Sequence, residues 1–302
     1  MNRILITGAT GLVGQEIVKQ CHAVGIHVNY LSTNKEKLKS TSNYKGFYWN
    51  PKSKEIDVNC FKDIDTIINL AGASIAKRWT SSYKKEILES RIDSLKCLYD
   101  AIEENNIEVS HLVSASAIGI YPSSKTHYYD ESNKDKEEGF LSNVVEQWED
   151  EVDTFANLNV KVSKIRIGIV LAKKGGALTE LVKPVKLFLG SPLGTGKQWQ
   201  SWIHIEDLAS MFLYVIKNKI EGVLNGVAPN PVKQKELIKL AAKQLNRPVF
   251  LPNVPSFVLK IILGEMSSLL LESQRVSSKK IESLGYHFKY HHLQPALKEI
   301  LG

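Results

Sequence analysis

The chain has 302 residues, of which 43% are hydrophobic, and a formal net charge of +7. This length suits one large α/β domain or a domain with an added lobe, and the apolar share is sufficient for a buried core. The lysines are scattered without an aromatic-basic stripe, so the charge indicates solvated surface and argues against a nucleic-acid partner. The cysteines, Cys21, Cys60 and Cys97, lack metal-ligand spacing, which favours reduced thiols in a cytoplasmic protein.

We expect neither a leader nor a membrane anchor. The first apolar run begins almost at the N-terminus, which leaves no room for a signal peptide. The most apolar later stretch, over 257–271, is interrupted by Lys260, Gly264 and Glu265 and is too short to span a bilayer. We interpret this stretch as a packed helix.

The segment over 3–14, RILITGATGLVG, predicts a strand, a Gly-rich turn and the start of a helix. Gly8 permits a tight turn, Gly11 lets the backbone approach a pyrophosphate, and Gly14 lets the helix pack closely on the strand. The free N–H groups and the dipole at the helix N-terminus favour an anion. The segment therefore predicts a dinucleotide site.

Strand and helix patterns alternate along the rest of the chain, which predicts a parallel sheet. The predicted helices cover 15–24, 82–105, 235–245 and a start at 203–207; the predicted strands cover 27–32, 66–70, 111–116, 164–171 and 249–251. We predict an α/β fold with a doubly wound Rossmann sheet. Its NAD(P)-binding domain covers 1–170, and a smaller, mainly helical substrate lobe over 171–302 is interleaved with the sheet. The long helix over 82–105 offers a surface for pairing in a homodimer.

The end of the second predicted strand bears on the choice of cofactor. A carboxylate there would hydrogen-bond a free ribose 2′-OH and repel a 2′-phosphate. This chain has Ser32, Thr33, Asn34 and Lys35 instead, with no carboxylate before Glu36. Hydroxyls, an amide and an ammonium suit a phosphate, so the sequence favours NADP, with NAD as the alternative. The same residues could also cap the next helix, and both roles can hold together.

Small and hydroxyl side chains follow two further strands, at the sheet edge where ligands bind in open α/β folds. Ala71 and Gly72 would let the chain pass beneath a cofactor, although a tight turn would also need them. Ser114 and Ser116 end the strand over 111–116. There they are placed either for chemistry or for a hydrogen bond to local backbone.

Several strings together resemble the extended short-chain dehydrogenase/reductase family: TGATGLVG, NLAGA and SASAIGIY. More narrowly, the chain resembles its epimerase-like branch, which has its own C-terminal domain of unknown function. Members of that branch are sometimes labelled sugar-nucleotide epimerases or cell-division inhibitors. The strings that carry this resemblance span essentially the whole chain: KRW, GGAL, PLGTGKQWQSWIHIEDLA, APNPV, LGEM and LLLESQRV.

The resemblance implies an NAD(P) site along the carboxyl ends of the strands. Its pyrophosphate contacts would be Gly8, Thr10, Gly11 and Leu12, and Gly168 would lie near the nicotinamide. The residues that would border the adenosine or ribose are Ala71 and Gly72. The branch often has an arginine where this chain has Thr33, which leaves a 2′-phosphate to Asn34, Lys35 or Lys37.

The resemblance also implies hydride transfer assisted by a serine and a Tyr-x-x-x-Lys pair. The lysine lowers the pKa of the tyrosine, because a phenol of pKa about 10 is a poor base at neutral pH. Ser116 matches the serine, but the other two positions fall near Leu141 and Val145, and neither side chain can move a proton. The standard mechanism therefore cannot operate. Tyr121, at the same sheet edge, is the candidate replacement, or else packs beneath the ligand.

Candidate substrate residues lie in two regions of the sequence. Arg78 and Trp79 would place a cation beside an aromatic wall, or belong to a surface loop. The later candidates are Lys197, Trp199, Trp202, His204 and Arg275. Together they would suit an anionic, partly planar ligand such as a nucleotide-linked or aromatic acid. His204 alone is more typical of a structural histidine.

Two functions remain open from the sequence. The first is an NADP-dependent epimerase or oxidoreductase that acts on a small or nucleotide-linked substrate, with Ser116 and a non-standard proton donor. The second is a nucleotide-binding sensor that keeps the cofactor site without turnover, which the missing tyrosine and lysine favour.

Overall fold

The computed structural model describes residues 2–302. Its strands are β1 Arg3–Thr7, β2 His27–Ser32, β3 Tyr44–Asn50, β4 Glu55–Ile56, β5 Thr66–Asn69, β6 His111–Ala117, β7 Lys161–Ile167, β8 Ile169–Leu171, β9 Trp199–Gln200, β10 Trp202–His204, β11 Gly222–Gly226 and β12 Val232–Lys233. Its α-helices are α1 Leu12–Ala23, α2 Ser81–Glu104, α3 Phe140–Asp153, α4 Gly176–Lys186, α5 Ile205–Lys217, α6 Gln234–Gln244, α7 Ser256–Leu263, α8 Ser268–Leu271, α9 Lys279–Ser283 and α10 Leu293–Leu301.

The main sheet has eight strands in the order β11-β7-β6-β5-β1-β2-β3-β4. Its pairs are parallel except at the edge, where β3 and β4 are antiparallel. The central strands are continuous apolar runs because helices cover both faces, and Ile4, Leu5 and Ile6 of β1 are fully buried. The strand order reverses between β1 and β5, which is the place where such folds bind ligands. The predicted Rossmann fold is confirmed.

The C-terminal half both returns to this sheet and forms a separate helical layer. Helix α5 packs against α1, where Nε2 of Gln20 donates to the carbonyl of Glu206 at 3.0 Å, and β11 then pairs with β7. A second hydrophobic core joins α4, α6 and α10 around the fully buried Trp202. Residues 205–226 are therefore the part of the C-terminal half that is built into the main sheet and its helical cover.

Three predicted elements differ from the structure. The strand over 164–171 is broken at Gly168, where an added Cβ would lie 2.3 Å from the carbonyl oxygen of Ser201. The segment 249–251 forms no strand. The stretch over 257–271 is not one packed helix, because Gly264, with φ of +60°, ends α7.

Helix α7 also leaves apolar side chains exposed: Phe257, Ile261 and Ile262. Across residues 2–302, no helix combines the length and the apolar character that a membrane crossing requires. The buried residues of α2, such as Ile87, Leu95 and Leu98, face the protein's own core. Pairing of α2 in a homodimer stays a prediction.

Candidate functional site

The turn after β1 has the geometry that its glycines predicted. Gly8 has φ of +69°, and an added Cβ would lie 2.8 Å from the carbonyl oxygen of Leu70. An added Cβ at Gly14 would lie 2.3 Å from the carbonyl oxygen of Gly8, so α1 can pack on the strand only with glycine there. Gly11 is the N-cap of α1 and offers no side-chain acceptor to the first N–H groups of the helix. These groups and the bare backbone fit a diphosphate.

A second helix begins beside this turn. Gly175 and Gly176 precede and begin α4, and a Cβ added at them would lie 3.7 Å and 3.1 Å from the side chain of Leu12, at the start of α1. The N-cap of α4 is Gly175, and it too makes no side-chain hydrogen bond to the helix. Two helix N-termini therefore meet at the Gly-rich turn, and both favour an anion. The sequence does not predict α4 beside this turn, because its approach to Leu12 joins segments more than 160 residues apart.

The end of β2 combines a local cap with an exposed polar surface. The N–H of Asn34 donates to the buried hydroxyl of Ser32 at 3.1 Å, and Oδ1 of Asn34 accepts from the N–H of Glu36 at 2.8 Å. The capping role of Asn34 is therefore present. Thr33 and Lys35 are exposed, and Nζ of Lys35 lies 4.5 Å from the centre of the Tyr48 ring. This surface carries hydroxyl, amide and ammonium groups, as a 2′-phosphate requires.

Thr7 joins the turn after β5 to the turn after β1. Its hydroxyl oxygen accepts from the N–H groups of Leu70 at 3.0 Å and Ala71 at 3.1 Å, and it donates to Asn69 Oδ1 at 2.7 Å. Nδ2 of Asn69 in turn donates to the hydroxyl of Ser114 at 3.1 Å. Ser114 is fully buried in this network, so the geometry argues against its predicted contact with the cofactor.

A buried network also fixes both predicted catalytic residues. The Ser116 hydroxyl donates to Oε1 of Glu149 on α3 at 2.5 Å, and the guanidinium of Arg166 on β7 donates to both oxygens of that carboxylate at 2.8 Å. Arg166 also donates to the hydroxyl of Tyr121 at 3.0 Å. That hydroxyl donates to Oδ1 of Asn225 at 2.8 Å. All five side chains are buried.

The electrostatics of this network oppose the predicted catalytic roles. Burial raises the pKa of the Tyr121 phenol, and the charge of Arg166 opposes this rise only in part. Burial also acts to raise the pKa of Glu149, but the hydrogen bonds and charge of Arg166 outweigh it, so that pKa is lowered. Glu149 is therefore a carboxylate, and it holds the proton of Ser116. Ser116 and Tyr121 are placed as structural residues, out of reach of a ligand.

A cavity of about 460 Å³ opens at the N-terminus of α3. Leu141, near the position where the resemblance implied the catalytic tyrosine, lines it, whereas Val145 is buried in the core. Trp79 and Phe140 form an aromatic wall, with ring centres 5.2 Å apart. The remaining lining residues come from the loop before α3 and from the region of α7 and α8: Gly119, Glu137, Glu138, Gly139, Ser142, Lys260, Gly264, Glu265, Ser267, Ser268, Leu271 and Glu272.

Glu272 is a titratable group in the lining of this cavity, and no motif in the sequence points to it. Burial, with a smaller contribution from the charge of Glu137, raises its pKa to about 7. By contrast, Glu265 is exposed and pairs with Lys84, whose Nζ lies 5.1 Å from the centre of the Phe140 ring. Glu272 stands in the LLLESQRV string, where no local pattern signals a perturbed carboxyl, because both causes arise from tertiary contacts.

The structure does not join the predicted substrate residues into one cleft. Trp79 lines the cavity, while Arg78 beside it is exposed. Separately, the Arg275 guanidinium lies 4.5 Å from the centre of the Trp199 ring and 4.9 Å from that of Tyr128. Lys197 is exposed. The anionic, planar ligand predicted from all these residues would therefore meet only some of them.

Two of the substrate predictions fall on structural residues. Trp202 is fully buried, and its indole N–H donates to the carbonyl of Asn230 at 2.9 Å. His204 is the buried N-cap of α5: its Nδ1 accepts from the N–H of Glu206 at 3.2 Å, and its Nε2 lies 3.1 Å from Glu299. Gly168, predicted near the nicotinamide, is required by the close approach of Ser201. Local packing accounts for all three.

Comparisons with known proteins agree with this fold and glycine-rich turn. A family model described as "NAD dependent epimerase/dehydratase family" matches residues 4–140, and a "Domain of unknown function" matches residues 254–300. The chloroplastic epimerase family protein SDR39U1 homologue of Arabidopsis thaliana is 38% identical over 99% of this chain and 86% of its own length. An epimerase family protein of Staphylococcus aureus strain MRSA252 is 37% identical over the full length of both chains.

A solved structure gives the same result in three dimensions. The human epimerase family protein SDR39U1 (isoform 2), crystallised with NADPH, superimposes with a TM-score of 0.85 and 30% identity, and the match covers 99% of each chain. The names of these relatives refer to epimerases and not to cell division.

Proposed function

Because the chain belongs to the epimerase family, with the NAD-dependent epimerase/dehydratase domain followed by the domain of unknown function, we propose that it binds NADP(H) and acts on a small substrate in the cavity at α3. The cofactor would lie across the carboxyl ends of β2, β1 and β5. Residues around Leu12 and Gly175 would hold its diphosphate at two helix N-termini, and Thr33 to Lys35 would contact the 2′-phosphate. The human relative crystallised with NADPH supports this assignment.

The position of Leu141 carries the substrate part of the proposal. Leu141 lines the cavity, and the resemblance implies a catalytic tyrosine near this residue, which supports the cavity as the place of a substrate. When bound, the nicotinamide would supply or accept a hydride. The aromatic wall of Trp79 and Phe140 suits a planar or partly apolar ligand. Lys260, in the same lining, adds a cation that suits an anionic group.

Glu272 is the group that we assign to the proton transfer. In the direction of reduction, its carboxyl gives a proton to the carbonyl oxygen as a hydride reaches the carbonyl carbon. The carboxylate that remains then takes a proton from water. A general acid works best when its pKa is near the working pH, and the pKa of Glu272 is raised to about 7 by burial and by Glu137.

A second candidate function is a sensor that binds the cofactor without turnover. The observation that favours it is the closed network around Ser116 and Tyr121, which leaves both hydroxyl groups without access to a ligand. The presence or absence of turnover separates this candidate from the first.

Two experiments test the proposal. Fluorescence titration with NADPH and NADH should show binding with a preference for NADPH, and Gly11→Glu should abolish it, because it places a carboxylate at the diphosphate position. Equal binding by Gly11→Glu would refute the cofactor site.

The second experiment measures cofactor oxidation against panels of carbonyl compounds and sugar nucleotides. Glu272→Gln should lose turnover and keep its NADPH affinity, while the control Glu138→Gln, in the same lining, should keep both. Turnover that survives Glu272→Gln would remove Glu272 from the mechanism. NADPH binding with no turnover on any panel would favour the sensor.

A further inference from the structure

Arg91 lies on α2 against the turn that follows β5. Its guanidinium packs on Gly72, where an added Cβ would lie 3.0 Å from Cζ of the arginine. Its other side faces the ring of Trp148 on α3, with Cζ 5.0 Å from the ring centre. The planar group is therefore held in one orientation between a backbone turn and an aromatic ring, which limits the entropy it would lose on binding a ligand.

This guanidinium has no carboxylate partner within 4 Å among the residues that the structure describes. Nη1 donates to the carbonyl oxygens of Ile87 at 2.7 Å and Ala73 at 3.3 Å, and these are the protein acceptors that it has. Nε and Nη2 donate to no protein atom, and both remain partly exposed to solvent. Burial lowers the pKa of Arg91 to about 10. Arg166 contrasts with it, because Glu149 neutralises the charge of that buried cation.

A partly desolvated cation without a counter-ion is costly, and an anion brought to it offsets that cost. The place of Arg91 indicates which anion. The carbonyl of Leu70, two residues before Gly72, abuts Gly8, and the Thr7 hydroxyl accepts from Leu70 and Ala71. The turn against which Arg91 packs is thus fixed to the turn that would hold the diphosphate in our proposed function.

We propose that Arg91 binds a phosphate oxygen of the dinucleotide from the β5 side, across from the N-termini of α1 and α4. This assignment rests on the proposed cofactor site. Its free nitrogens, Nε and Nη2, would donate two parallel hydrogen bonds to one phosphate, a geometry that lysine cannot reproduce. The same chemistry could serve a substrate carboxylate in the cavity, so the test separates the two sources.

Isothermal titration of the full-length protein, free of substrate, makes this separation. Arg91→Gln should weaken the binding of NADPH and of NADH by the same factor, roughly 10- to 100-fold, because both cofactors carry the diphosphate. Adenosine 2′-monophosphate, which carries neither phosphate of the diphosphate bridge, should bind unchanged. Lys85→Gln, which removes an exposed cation from the same helix, is the matched control and should leave all three affinities unchanged.

Two further variants keep the test valid if Arg91→Gln does not fold. Arg91→Lys keeps the charge and loses the planar fork, and Gly72→Ala leaves the arginine in place but displaces its guanidinium. Both should weaken NADPH binding about 3- to 30-fold while thermal unfolding shows a folded protein. NADPH affinity within twofold of wild type in these variants would overturn the assignment. Weaker binding of an anionic substrate alone would assign Arg91 to that substrate, and a wild-type protein that binds no nicotinamide nucleotide would refute the proposed function itself.

Discussion

Replacement of Glu272 by glutamine should stabilise the protein at neutral and alkaline pH. The folded state raises the pKa of this carboxyl from 4.5 to about 7, so the folded protein binds a proton that the unfolded chain releases at lower pH. The stability that this proton contributes is fully present below pH 4.5 and is lost as the pH rises to about 7. Glutamine has the shape of the protonated form and does not titrate.

The pKa shift sets the size of the effect. A rise from 4.5 to about 7 corresponds to at most about 3.4 kcal/mol of unfolding free energy at pH 8. Because Glu272 is only half-buried, solvent screening reduces this to about 1–2 kcal/mol. For a chain of 302 residues that difference raises the Tm by roughly 2–3 °C.

Urea unfolding of wild type and Glu272→Gln at pH 4, 6 and 8 measures the effect. The variant should be more stable at pH 8, and the difference should vanish at pH 4. Glu137→Gln removes the charge that makes the smaller contribution to the raised pKa of Glu272, so it should give part of this stabilisation at pH 8. Glu138→Gln should give none. A Glu272→Gln protein no more stable than wild type at pH 8 would refute the raised pKa of Glu272. It would also refute the proton transfer that we assign to this residue.

Three other substitutions test the packing of the site. Glu149→Gln leaves Arg166 buried with its charge uncompensated, and urea unfolding should show a loss of about 3–5 kcal/mol; a loss below 1 kcal/mol would contradict a closed ion pair. Trp202→Ala should cost about 3–5 kcal/mol in the same assay, and Trp199→Ala, at a partly exposed site, clearly less. Gly14→Ala should cost about 1–3 kcal/mol by thermal unfolding and weaken NADPH binding, because the new Cβ meets a carbonyl oxygen at 2.3 Å; unchanged stability and affinity would contradict this close packing.

The dinucleotide turn was predictable because its causes are local. A strand, three glycines and the first residues of a helix lie within twelve residues, and the contacts that exclude a Cβ at Gly14 come from Gly8 and Ala9 of the same segment. The long helix was equally predictable, since the period of its apolar residues identifies α2 to within one residue at each end. Such features need no knowledge of distant partners.

The hydrogen-bonding roles of side chains were not predictable in the same way. Ser116 lies at a strand end, where a catalytic role and a structural role are equally typical of a serine. Its hydrogen-bond partner Glu149 is 33 residues away in the sequence. The raised pKa of Glu272 and the unneutralised charge of Arg91 depend on burial by other segments. Neither a spacing nor a local motif encodes them, so only the assembled fold identifies these groups.

The three hydrogen bonds of Thr7 have a kinetic consequence. With Leu70 and Ala71 held to its hydroxyl, the turns after β1 and β5 are fixed to each other before any nucleotide binds. A binding site that is already ordered loses little conformational entropy when the ligand binds. Stopped-flow mixing with NADPH should therefore show a single exponential whose rate rises linearly with concentration, without the plateau that a slow loop rearrangement would impose.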